Sequence, residues 1–326
     1  AKWDSSPLIG PGVFLPQSGK EGLSEAMREL VTVADTEEHE GKRQAWTGII
    51  EGDLMRARDI QRDSVGLRFR EVEQAVIATF LHSQPIGQSG KTRDLTLLIA
   101  PNRPDKIELE KGLLRWSQVS FWLDDQYTTA DENELPGTWR LGNRPNLTQM
   151  HAVAVNRVSD DVVRARLLDE IGKVKALSAG ANAVGVRVHT LPAKPCDIED
   201  DGLFHYGILG PGGASDSGKP SAAARRYLDE TTGPEKPRVY RNAVILLAPS
   251  RDGLEVASRS VRDYLAWEQV RVSLKAQQKD GSVDVARMQT LAINIDKAKG
   301  RVPDAIRQAY CTVVTVSDKN EVQAFK

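Results

Sequence analysis

Cysteine is scarce in this chain: 326 residues hold two, Cys196 and Cys311, far apart and neither in a C-x-x-C pair. That excludes a disulfide framework and a cysteine-built zinc site, and leaves two plain buried thiols as the expectation. Histidine is scarce too. The five, His39, His82, His151, His189 and His205, show no H-x-x-x-H spacing that sets two imidazoles on one helix face, so neither a metal nor a cofactor is expected. His189 and His205 fall in strand-like runs, where a packed or rim histidine is commoner than a catalytic base. No apolar run reaches the about eighteen residues of a membrane helix. The start also lacks the basic-then-apolar order of a secretory signal, so the expectation is a soluble cytoplasmic protein without a membrane partner.

Neither sign of charge dominates: 44 Lys and Arg stand against 45 Asp and Glu. The halves differ slightly. Residues 1–150 carry 18 basic and 23 acidic side chains and the remainder 26 and 22, which favours the second half as the place to meet a polyanion. A hydrophobic content of 40% over this length suits two domains. The chain begins at Ala1 rather than Met and stops shortly after the apolar run YCTVVTV, so it reads as a piece of a longer polypeptide.

Two Gly-Lys stretches, IGQSGKTR at 86–93 and GASDSGKP at 213–220, raise the question of a phosphate loop. Such a loop needs a strand before the glycines, a helix starting at the lysine, and a hydroxyl for Mg²⁺. In the first stretch the expected order is inverted, a helix before and the strand LTLLIA after. In the second, FHYGILG and SAAARRYLDE supply strand and helix, but Pro220 replaces the hydroxyl residue and removes an N–H. That loop is expected to be a surface loop before a helix starting at Ser221, with weak anion affinity at most. G-x-S-x-G is absent, and the acidic groups Asp124-Asp125 and Glu199-Asp200-Asp201 lie in polar loops. No catalytic residue is assigned, and the chain is not expected to be an enzyme by itself.

The pattern predicts a helical domain over 1–155 and an α/β domain over 156–326. In the first, Leu23, Ala26, Leu30 and Val31 recur at helical spacing, and DTEEHEGKR reads as a solvated turn. A helix is expected from about Val65 to His82, halted by Pro85-Ile86-Gly87, then a strand in DLTLLIA. PDKIELEKGLLRW reads as a helix capped by Asp105 with Ile107, Leu113 and Leu114 inward. VSFWL and TWRLGN follow as a ribbon around the acidic DDQYTTADENELPG, completing a winged-helix-like order. In the second domain a helix from Val162 to about Leu177 precedes four strand-like runs, VGVRVHTLP, FHYGILG, NAVILLAP and YCTVVTV. The helices SAAARRYLDE, GLEVASRSVRDYLAWEQVRVSLKAQ and VDVARMQTLAINIDKAKG lie between them. This predicts a small mixed or parallel sheet in which NAVILLA is buried on both faces.

The run from Pro237 to Ala248, with Ala257-Ser258-Arg259 and Arg262-Asp263-Tyr264-Leu265-Ala266-Trp267, resembles the C-terminal half of the prokaryotic domain of unknown function 499 family. Thr138-Trp139-Arg140-Leu141, Arg144-Pro145-Asn146-Leu147 and the run from Phe204 to Pro211 are similar to that family as well. The resemblance spans roughly residues 65–315 and implies a module of a large AAA-type ATPase of phage-defence loci, downstream of its phosphate loop. It implies DNA, or methyltransferase, helicase or nuclease subunits, as partners, and supplies no catalytic residue.

Two functions follow as expectations. The first is an accessory module that contacts DNA through Arg225 and Arg226 on one helix, Arg238 and Arg241 nearby, and Arg259 and Arg262 on the long helix. Its plain counterpart is a solvated face in which Arg259 and Arg262 pair with Glu255 and Asp263. The alternative is a protein–protein scaffolding module that docks the ATPase to partner subunits, with Trp122, Trp139 and Trp267 as anchors unless they are buried.

Overall fold

The computed structural model describes residues 9–17, 22–35, 46–83, 88–125, 133–142, 145–277 and 285–326. The chain divides into two compact units, Ala1–Val153 with Gln278–Leu291, and Ala154–Gln277 with Ala292–Lys326. The second boundary segment returns to the first unit, which a division at 155 does not anticipate.

The first unit is mostly helical: α1 (Glu25–Asp35), α2 (Trp46–Asp63), α3 (Glu71–Ser83), β1 (Gly90–Lys91), α4 (Thr92–Ile99), α5 (Lys106–Val119), β2 (Thr138–Trp139) and the start of α6 (Leu147–Arg157). Helix α3 is buried along nearly its whole length and forms the centre of the core, with Val72, Ala75, Val76, Ile77 and Phe80 enclosed by α2, α4 and α5. The helix expected from Val65 starts later. Val65 is exposed, and Glu71 accepts the main-chain N–H of Arg68 and of Phe69 to set the first turn. Helix α5 is capped as expected, Asp105 accepting from the Glu108 N–H at 3.0 Å, but Ile107 points outward and Leu109 takes the inner position. DLTLLIA is a helix rather than a strand. A short apolar run does not declare its period, and here the buried pair is Leu95 and Ile99, four apart, while Leu97 is exposed. The strand lies just before it: Gly90 and Lys91 pair antiparallel with Trp139 and Thr138, and Leu123 bridges Leu141. Trp139 is buried and stacks on Trp116 at 5.2 Å. DTEEHEGKR beyond Asp35, Pro85-Ile86-Gly87, most of the acidic stretch at 126–132, and Arg144 lie outside the described residues.

The second unit contains α7 (Asp160–Lys173), α8 (Ala179–Ala183), β3 (Arg187–Thr190), β4 (His205–Ile208), α9 (Ala222–Asp229), β5 (Glu230–Gly233), β6 (Lys236–Pro237), β7 (Val244–Ala248), α10 (Arg251–Gln277), most of α11 (Val285–Ala309), β8 (Thr312–Val316) and β9 (Val322–Phe325). Five strands form one sheet in the order β3-β4-β7-β8-β9, the first three parallel and the last two antiparallel. This is the small mixed sheet that the four apolar runs predict, and the apolar β7 occupies its centre. No α-helix connects β3 to β4; the connection holds only a 3₁₀ turn, Pro195–Asp197. Residues 191–204 instead carry the chain from the carboxyl end of β3 to the amino end of β4. Ile198 of this crossover is buried in the core with Leu246, Ala224 and Leu228. Gly207 permits that packing: a Cβ there would stand 2.8 Å from Leu246 Cδ2 and 3.0 Å from Ile198 Cδ1.

In the first unit Asp53 is fully buried on α2 and receives the Ser120 hydroxyl at 2.5 Å and the Phe121 N–H at 3.3 Å. Burial pushes its pKa up to about 6, against the opposing pull of these bonds and of Arg56. A carboxyl raised in the folded state contributes stability that is full below its unfolded value and lost as pH rises through about 6. Wild-type stability relative to Asp53→Asn is therefore expected to fall by about 3 kcal/mol between pH 3 and pH 7. Urea unfolding of both proteins across that range measures it; a pH-independent difference contradicts it.

Candidate functional site

Parallel strands leave their connections free at the carboxyl ends, where open α/β sheets place ligands. Here residues 191–193 leave β3 and residues 209–213 leave β4, and with α7, α9 and α10 they enclose a cleft of about 1070 Å³. Leu191 turns the chain with φ of 54°, a left-handed conformation that costs a leucine energy, and donates its N–H to Ile208 O at 2.9 Å. The floor is apolar, with Leu167 of α7, Leu209 and Leu254 of α10. The rim carries three arginines and one carboxylate, Asp160. Arg164 of α7, Arg226 of α9 and Arg262 of α10 line it from three different helices.

The hydroxyls in the cleft are committed. Tyr227 donates to Pro192 O at 2.5 Å, and Ser258 donates to Leu254 O at 2.8 Å. Burial, with the nearby Asp197 charge, raises the Tyr227 phenol above its ordinary value. These groups suit binding rather than nucleophilic attack, which needs an unshared hydroxyl beside a base.

Of the six arginines singled out in the sequence, the cleft brings Arg226 and Arg262 together. Arg226 reaches Glu230 at 3.4 Å and stays exposed; Arg262 pairs with Asp160 and donates to Val158 O at 3.3 Å. Arg225 is exposed, and Arg259 pairs with Glu255 at 3.2 Å on the α10 surface. Arg241 is held by Asp229 and by Asn320. Arg238 is only 3% exposed. Its guanidinium donates to four main-chain carbonyls, those of Tyr227, Glu199, Pro195 and Ile198, at 2.9–3.1 Å. Arg164 and Tyr227, which complete the cleft, were not anticipated. The signal available was position: both sit on helices bordering the ends of parallel strands.

At IGQSGKTR the observed order is strand, then helix, with Thr92 opening α4, which corrects the inverted order expected there. The Thr92 hydroxyl donates to Pro136 O and accepts from Trp139 Nε1 at 2.9 Å, so it is already used. The second stretch follows the expected strand, loop and helix, and the Ser221 hydroxyl caps α9 by accepting from Ala224 N at 3.1 Å.

A polar cluster occupies the other end of β3 and β4. Arg187 pairs in register with His205, and His189 lies two residues along β3 on the same face, since side chains alternate along a strand. His189 Nε2 stands 3.0 Å from His205 Nδ1, and His205 Nε2 is 2.9 Å from Asp201 Oδ1. The returning crossover delivers Glu199 and Asp201, and Arg187 contacts both, at 2.5 and 3.2 Å. His205 is buried, His189 partly so, and Glu199 exposed. Burial first, then the neighbouring His205, lowers the His189 pKa, while Glu199 and a main-chain hydrogen bond to Asp197 oppose that shift. Hydrogen bonding to His205 lowers the Asp201 pKa. Sequence spacing alone suggested no metal, because H-x-x-x-H describes a helix, whereas register across two strands joins these imidazoles. The ring and carboxylate atoms of His189, His205 and Glu199 lie within 4.8 Å of one another and are the atoms here that can hold a cation.

Arg238→Lys keeps the charge but cannot satisfy four carbonyls with one ammonium group. It is expected to destabilise the second unit by about 3 kcal/mol. Hydrogen exchange should quicken in residues 195–201, and unchanged protection there contradicts the role assigned to Arg238. Comparison with protein-family models, curated proteins and solved structures finds no match to this chain.

Proposed function

We propose that this chain is a non-catalytic binding module of a larger DNA-processing assembly, and that the cleft beyond β3 and β4 receives a nucleic-acid strand. The observation carrying this reading is the convergence of Arg164, Arg226 and Arg262 from three helices on a concave surface with an apolar floor. Single strands are bound in this manner, cations following the phosphates while bases lie against aromatic or apolar surface. Tyr227 lines the same cleft.

The first unit supports such a role by its architecture more than by its charge. The order α3, β1, α4, α5, with β1 pairing β2 and Leu123 bridging Leu141, supports a winged-helix-like reading, in which α5 would take the place of the recognition helix. Its cations are already matched: Lys106 with Glu110, Lys111 with Glu108, and Arg115 with Asp63. The cleft of the second unit differs in bringing arginines from three helices to one concavity, and this directs the nucleic-acid reading there.

The scaffolding reading has its own observation. Leu203, Phe204, Val239 and Tyr240 are all exposed, and Asp200 ties their two loops together by accepting the N–H of Val239 and of Tyr240. Exposed apolar groups of this kind anchor protein partners.

Fluorescence anisotropy with a labelled single-stranded oligonucleotide, titrated at several salt concentrations, tests the proposal. Binding is expected to weaken steeply with salt, and Arg164→Glu with Arg226→Glu is expected to lower affinity at least about tenfold. Both side chains are exposed, so the fold should tolerate the change. Absence of binding at low salt, or affinity unchanged in the double variant, overturns the cleft assignment and favours scaffolding.

A further inference from the structure

The histidine cluster, built on Arg187 and His189 of β3 and His205 at the start of β4, shares no residue with the lining of the cleft and has a different chemistry. His205 Nε2 lies against the Asp201 carboxylate, an arrangement that holds the ring proton on that nitrogen and leaves Nδ1 with a lone pair. That lone pair faces His189 Nε2 at 3.0 Å. At this distance the His189 Nε2–H can donate to that lone pair, or, once that proton is lost, both nitrogens can bind one metal ion. Glu199 Oε2 stands 4.0 Å from the same Nδ1 and completes a triangle of donors.

We propose that His189 Nε2, His205 Nδ1 and Glu199 Oε2 form a three-donor site for a divalent transition-metal ion of the zinc type, with Asp201 as the outer partner that orients His205. Ligands of a tetrahedral zinc ion, each about 2.0–2.1 Å from the metal, stand about 3.3 Å from one another. The observed separations of 3.0 and 4.0 Å bracket that value, so a small rotation of the exposed Glu199 side chain closes the site. Two imidazoles and one carboxylate select zinc and its first-row neighbours over magnesium or calcium, which prefer all-oxygen shells. Glu199 opens to solvent, so the fourth position falls to water or to a ligand group.

The supporting shell is in place without the ion. Arg238 grips the carbonyls of Pro195, Ile198 and Glu199 and so holds the segment that delivers the carboxylate. Arg187 is the competitor, since its guanidinium is bound to the same Glu199 oxygen at 2.5 Å and reaches Asp201 at 3.2 Å. A metal ion must share that oxygen or displace the guanidinium. This makes a prediction that a purely structural hydrogen-bond cluster does not: removing the Arg187 charge should strengthen metal binding.

The test is isothermal titration of Zn²⁺ into the chelator-treated full chain, with Co²⁺ as an optical probe of four-coordination. Saturable one-to-one binding is expected in the wild type, together with a rise in Tm. His189→Ala and Glu199→Gln, both away from the buried core, should weaken it at least about 100-fold, and Asp201→Asn about tenfold. Arg187→Gln should tighten it about tenfold. Failure of the wild type to bind one zinc ion, or binding that His189→Ala leaves unchanged, overturns the site. Because none of these residues lines the cleft, the result is independent of the nucleic-acid assay.

Discussion

The second unit depends on the Arg238 guanidinium. A parallel β3–β4 pair obliges the chain to return from one end of the sheet to the other, and here residues 191–204 make that journey with only the 3₁₀ turn Pro195–Asp197 to satisfy their own main chain. Buried carbonyls without partners are costly. Arg238 donates to the carbonyls of Pro195, Ile198 and Glu199 on the crossover, the first of which also accepts from Ile198 N, and to that of Tyr227 at the end of α9. Its planar fork of donors suits that task. Both sites inherit their geometry from this fastening: one end of the crossover forms a wall of the cleft through Pro192 and Pro195, and the other presents Glu199 and Asp201 to the histidines.

Charge is distributed by the same logic. Most arginines that catch the eye as a basic surface are neutralised locally, Arg259 by Glu255, Arg241 by Asp229, Arg271 by Glu268. Exposed pairs of this kind contribute little to stability and much to solubility. Positive charge counts where several such groups border one concavity, because a walled cleft concentrates their field. Arg164, Arg226 and Arg262, spread over 98 positions of the chain, border one concavity, although Arg226 also reaches Glu230 and Arg262 pairs with Asp160. Neither the overall balance nor the slight excess in the second half identifies them.

The elements themselves were largely legible. NAVILLA, YCTVVTV and FHYGILG are strands because β-branched and aliphatic residues without turn formers fill them, and the long 251–277 helix follows from its spacing of Leu254, Ala257, Val261 and Leu265. DLTLLIA failed for a defined reason: seven residues offer too little length to distinguish period two from period 3.6. No expectation covered α2, although Trp46, Ile49, Ile50, Leu54, Ala57 and Ile60 lie at helical spacing. The interruption is Asp53, a charge-bearing residue in the middle of the apolar stripe, which its partners, the buried Ser120 hydroxyl and the Phe121 N–H, explain.

What the amino-acid order determined by itself is therefore local: which segments are apolar, which are capped, and the presence of a mixed α/β unit with β7 at its centre. Tertiary structure decided the rest. Strand register placed His189 beside His205, sixteen residues away, and the crossover brought Glu199 to them. Helix packing turned scattered arginines into a rim, while burial converted Arg238 from a surface cation into an internal donor. The reason is physical: hydrogen bonding and periodicity act over a few residues and can be read along the chain. A binding site is set by distances of a few ångströms between segments whose separation in sequence carries no record of their meeting.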